Sequence, residues 1–72
     1  MIKQQFEIGT KFIRKYSKNA KVKHIETVID VYKTFNSKNE LVHLTYITTY
    51  EFCGQLIKHT ALNTTIALGV VL

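Results

Sequence analysis

The chain has 72 residues, enough for one small domain and too few for a sizeable core, and it contains no proline. Its one cysteine, Cys53, excludes an intramolecular disulfide, and one Cys with three scattered histidines (His24, His43, His59) lacks the paired spacing of a structural zinc site. Ten Lys and Arg against five Asp and Glu give a formal net charge of +5, so an electrostatic partner is expected to be acidic.

Phe6 and Ile8 precede Gly9, a natural turn. Lys11 to Tyr16 is apolar enough for a first strand, with Phe12 in the core, and the polar stretch Ser17-Lys18-Asn19-Ala20 breaks it. Val22 to Phe35 is predicted as the second strand. Alternation puts Ile25, Ile29, Val31 and Phe35 on one face and His24, Glu26, Asp30 and Thr34 on the other. Leu41 to Phe52 is predicted as the return strand, with Val42, Leu44, Tyr46, Tyr50 and Phe52 inward and His43, Thr45, Thr49 and Glu51 outward. The abundance of β-branched and aromatic residues argues against helix in both.

The two strands form one long hairpin around Asn36-Ser37-Lys38-Asn39, with Asn39 suited to the left-handed conformation. Matching the apolar faces requires paired positions whose numbers sum to an odd value. A type I turn with a bulge would instead pair Phe35 with Leu41 and set the faces on opposite sides. A four-residue loop, or a compensating bulge further along, is therefore expected, and strands of this length also predict a bulge or kink near Thr48-Thr49.

Cys53-Gly54 is the next predicted turn, and Gln55 to Thr60 a short fourth strand. Asn63 or Thr64 is suited to cap a single helical turn that buries Ile66; Gly69 ends it and Val70 to Leu72 make a terminal strand. The expectation is an all-β single domain spanning residues 1–72: a small five-stranded SH3-like barrel or a strongly bent antiparallel sheet, with at most one short helical turn near the C-terminus. A meander sheet that dimerises fits the same pattern. The N-terminal residues have no apolar core of the signal-peptide kind, and the longest apolar run, Ile66 to Leu72, is too short to cross a bilayer. A cytoplasmic location without a membrane partner is expected.

The strand-and-turn pattern of Thr27 to Gln55, including Thr-Val-Ile-Asp-Val-Tyr-Lys-Thr-Phe-Asn-Ser-Lys-Asn-Glu-Leu-Val and Tyr-Glu-Phe-Cys-Gly-Gln, together with Thr64-Thr65-Ile66-Ala67 and Gly69, resembles a family of short proteins of tailed bacteriophages and prophages. The chain departs from that family's pattern at Asn39, Tyr50 and Leu68. The resemblance implies a small accessory gene of a phage or integrated element. Taken together with the charge distribution, it leads to the expectation of a non-enzymatic protein that binds and sterically blocks a host macromolecule, such as a host protein or a nucleoprotein defence complex.

No residue pattern points to catalysis, a metal or a cofactor. The histidines suit a solvated sheet face, and Cys53 suits a buried, inert position at a strand end. The strongest functional signal is charge. Lys11, Arg14, Lys15, Lys18, Lys21 and Lys23 fall in a run free of acidic residues and interleave with Phe12 and Tyr16. Such a cluster suits phosphate contacts, with Tyr16 available to stack on a base, so a small nucleic-acid-binding module for DNA or RNA is the alternative function. A solvated lysine-rich loop is the plainer reading. Val28, Tyr32 and Ile47 are predicted to form an exposed apolar stripe, an interface for a host protein or for a second copy in a homodimer.

Overall fold

The computed structural model describes residues 2–15 and 24–72. Tyr16, Lys18, Lys21 and Lys23 of the basic run, and the start of the predicted second strand at Val22, lie outside them. The described elements are β1 (Lys11–Ile13), β2 (Ile25–Phe35), β3 (Leu41–Phe52), β4 (Gln55–Ala61), α1 (Asn63–Ala67) and β5 (Val70–Val71). The strands form one antiparallel sheet in the order β4-β3-β2-β1-β5. The fold is therefore all-β, and of the expected forms the bent open sheet is the one observed. β4 and β5 are its edges, and α1 carries the chain from one to the other.

Two turns follow directly from residue type. At the hairpin tip Asn39 takes a φ of 62°, and the Asn36 side-chain oxygen accepts the Lys38 and Glu40 amides at 2.9 and 3.0 Å. Phe35 pairs with Leu41, and a register shift beside it then moves Thr34 onto His43. Pairing is thus the bulged-turn kind with immediate compensation. Between β3 and β4, Phe52 pairs with Gln55 across Cys53-Gly54, both at positive φ (52° and 76°), the signature of a two-residue primed turn. Cys53 is exposed there, which corrects its expected buried position at a strand end.

A second register shift sets the interior. Val28 pairs with Thr48 but Asp30 with Ile47, so Ile29 is the extra residue of a β-bulge on β2. The bulge lies opposite the position expected near Thr48, on the other strand. Its consequence is a change of parity: before it Glu26 and Val28 point inward, after it Val31 does. The expected faces are therefore reversed at the start of β2. Ile25 is 53% exposed, while Glu26 is fully buried.

The core joins Phe12, Val28, Leu44, Tyr46, Ala61 and Ile66, with Phe6, Val31 and Leu41 packed at its margin. Val28 belongs to this core, which corrects its expected place on an outer stripe. Tyr46 anchors the chain before β1: its hydroxyl accepts the Gln5 and Phe6 amides at 3.1 and 3.2 Å and donates to the Asn63 side-chain oxygen. Asn63 Nδ2 in turn donates to the Lys3 carbonyl. That role explains why Asn63 does not cap α1. Leu62 holds the N-cap position, and its amide is taken by Thr65 Oγ1 at 3.1 Å. Gly69 lets β5 close on β1, because a Cβ there would collide with the Ile13 carbonyl oxygen. No helix among the described residues is long and apolar enough to cross a membrane.

Candidate functional site

Glu26 is the centre of the polar interior. Arg14, one residue past β1, meets it with two parallel bonds: Nε to Oε2 at 2.8 Å and Nη2 to Oε1 at 2.9 Å. From β3, Thr48 Oγ1 donates to Oε1 at 2.8 Å, and from β4, His59 Nδ1 lies 3.6 Å from the same oxygen. Arg14 Nη2 also donates to the Thr60 carbonyl of β4 at 3.0 Å. β1 and β4 are separated by two strands in the sheet, so this bond spans the inside of its curl.

Burial alone would push the Glu26 carboxyl up. The Arg14 fork reverses this, with help from the Thr48 hydroxyl, the Arg14 charge and His59, and holds the group below the usual carboxylate range. Planar, bidentate recognition of a carboxylate needs a guanidinium, and Arg14 is the single arginine of the chain. Among the described residues no buried side-chain nitrogen or oxygen lacks a hydrogen-bond partner.

Beside this tie lies a cluster of rings. The inward parity of β3 carries Tyr50 and Phe52 beyond Thr48, and His59 sits opposite Thr48 on β4. His24, immediately before β2, stacks on Tyr50 with ring centres 4.9 Å apart at 24°. It also meets Phe52 edge-on at 5.3 Å, and Tyr50 meets His59 at 5.4 Å and 60°. None of the four belongs to the buried core. Phe52 is 46% exposed and the His59 side chain 45%.

The residues expected from sequence are distributed unevenly. Arg14 is committed to Glu26 and Thr60, which corrects its expected role as a free phosphate contact. Lys11 and Lys15 are exposed. Tyr32 and Ile47 do come together, lining an open groove with Lys58, His59 and Thr60. Val28 faces away from them into the core. His43 bonds the Thr45 hydroxyl at 2.9 Å on the exposed surface. Among the described residues no three His, Cys, Asp or Glu side chains gather in a way that could hold a metal ion.

Sequence reading missed the inward Glu26, its bond to Thr48 and the ring cluster. One signal was available: a lone arginine in a chain whose other basic residues are all lysine indicates a site that needs a fork rather than a point charge. Searches of protein-family models, of curated proteins and of solved structures find no match to this chain.

Proposed function

We propose that this chain is a non-catalytic module that binds nucleic acid through its phosphates. The observation that carries the reading is the disposition of charge around Arg14. Glu26, the first acidic residue after the basic run, is buried and matched by Arg14, while Lys11 and Lys15 face solvent. The acid that follows the run therefore cancels the charge of Arg14 alone. Lys18, Lys21 and Lys23 continue the run in sequence. Five lysines remain for an anionic partner once Arg14 is set aside.

Binding of this kind releases counterions, so affinity for arbitrary DNA or RNA should fall steeply with salt. An electrophoretic shift at low salt tests it. Absence of any complex there rejects the reading.

A second reading is steric blocking of a host protein or nucleoprotein, as the resemblance to tailed-phage proteins implies. Its supporting observation is the far end of the hairpin. Phe35 and Val42 are exposed there and, with Ile2, line an open groove. A pull-down from bacterial lysate with and without nuclease separates the two. A partner retained after nuclease treatment favours protein contact, and one lost favours nucleic acid.

A further inference from the structure

Resting on the phosphate-binding reading above, we propose that His24, Tyr50, Phe52 and His59 form a stacking platform for unpaired bases, so that the ligand is a single-stranded nucleic acid. Four rings in continuous contact lie outside the core of a domain with little apolar material to spare. Packing of the sheet does not require them there, since Phe12, Tyr46 and Ile66 fill the interior.

Their position ties them to the charge. Lys23 directly precedes His24 in the chain, and the basic run begins at β1, whose following residue Arg14 grips Glu26. The same carboxylate lies 3.6 Å from His59. One end of the run is thus joined in the chain to a ring residue, His24, and the other reaches His59 through the hydrogen-bonded Arg14–Glu26 pair. A basic run that leads in sequence into an aromatic residue is the composition used for single strands, where the backbone follows the charge and the bases stack on rings. A duplex keeps its bases paired and stacked on each other, out of reach of a ring platform.

A cluster of rings also suits an alkylammonium ligand, as in aromatic cages. Charge argues against that occupant. The carboxylate that approaches His59 is already matched by Arg14, and the chain carries a net charge of +5.

The test is fluorescence anisotropy of the full chain with three labelled probes of equal length: an oligothymidylate, a mixed-sequence duplex and an abasic oligodeoxynucleotide. The oligothymidylate should bind at least about tenfold more tightly than the abasic strand, the scale of one base stacked on one ring. Phe52→Leu should lower single-strand affinity by about tenfold, leave duplex affinity unchanged, and keep the thermal melt of the wild type. Phe52→Trp should retain affinity, and its indole emission should be quenched by the oligothymidylate and not by the duplex. Equal binding of oligothymidylate and abasic strand, or a Phe52→Leu variant with undiminished single-strand affinity, overturns the platform and leaves phosphate binding standing. Binding of a trimethyl-lysine peptide in place of the oligonucleotide overturns it as well. Failure of all three oligonucleotide probes at low salt overturns the platform and the phosphate reading together.

Discussion

Arg14 and Glu26, twelve residues apart, face each other as a two-bond pair of 2.8 and 2.9 Å, with the carboxylate fully buried and the guanidinium reaching on to the Thr60 carbonyl. The pair joins the end of β1 to the inner faces of β2 and β4, and Thr48 adds β3. One buried charge thus connects four of the five strands.

Removing the cation should be severe. Arg14→Ala leaves Glu26 buried without its counter-ion, a loss of about 3–5 kcal/mol, which is a large share of the total stability of a small domain. Arg14→Lys keeps the charge without the fork and should fall between the two. The double variant Arg14→Met with Glu26→Leu should recover most of what Arg14→Ala loses, since the pair is then replaced rather than broken. Urea denaturation followed by circular dichroism reads all three.

Acid should destabilise the protein through the same group. The Glu26 carboxyl titrates below its ordinary value when folded, so in acid the unfolded chain binds the extra proton and stability rises with pH. The contribution is complete above the ordinary carboxylate range, around pH 4.5, and is lost as pH falls through the lower folded value. Glu26→Gln should flatten this part of a melting-temperature profile between neutral and acid pH. An unchanged slope would place the acid sensitivity elsewhere.

The edge at β5 should be sensitive to a single methyl group. At Gly69 an added Cβ runs into the Ile13 carbonyl oxygen, which is backbone and cannot turn aside. Gly69→Ala should cost about 1–3 kcal/mol as an overpacking defect. Amide exchange should show it first at Leu72, whose N–H bonds the Lys11 carbonyl at 2.9 Å.

The turn at Cys53-Gly54 can be improved. Cys53 holds a φ of 52° in a two-residue turn that favours Asn, Asp or Gly at that position. Cys53→Asn should raise stability by about 0.5–1 kcal/mol, since a left-handed conformation costs an ordinary side chain roughly 1–2 kcal/mol. A thermal melt measures the gain.

The strands were legible in the sequence where local chemistry decides them. Alternating β-branched and aromatic residues mark β2 and β3, and Asn39 and Cys53-Gly54 mark the two turns that join β2 to β4. The faces at the start of β2 were not. An extra residue at Ile29 reverses the parity of Ile25, Glu26 and Val28, and alternation read through the bulge sends Glu26 to solvent. What draws Glu26 inward is Arg14, brought from β1 by pairing that no local pattern encodes. The ring cluster was hidden for the same reason. His24 was assigned to the outer face with Glu26, so its stacking on Tyr50 could be seen only after the parity was reversed. The basic run was legible as charge, and the lone arginine within it carried the information that one member had a different task.

The account turns on nucleic acid meeting the lysines of the run while Arg14 stays inside. Affinity for a labelled oligonucleotide, measured as salt rises from 50 to 200 mM, tests this directly. The prediction is a log–log slope no steeper than five phosphate contacts allow, about −3.5 for a single strand at roughly −0.7 per contact. Changing Lys11 and Lys15 to Ala should make the slope shallower by about 0.7 for each lysine. No binding at 50 mM, or an affinity indifferent to salt, would contradict the account.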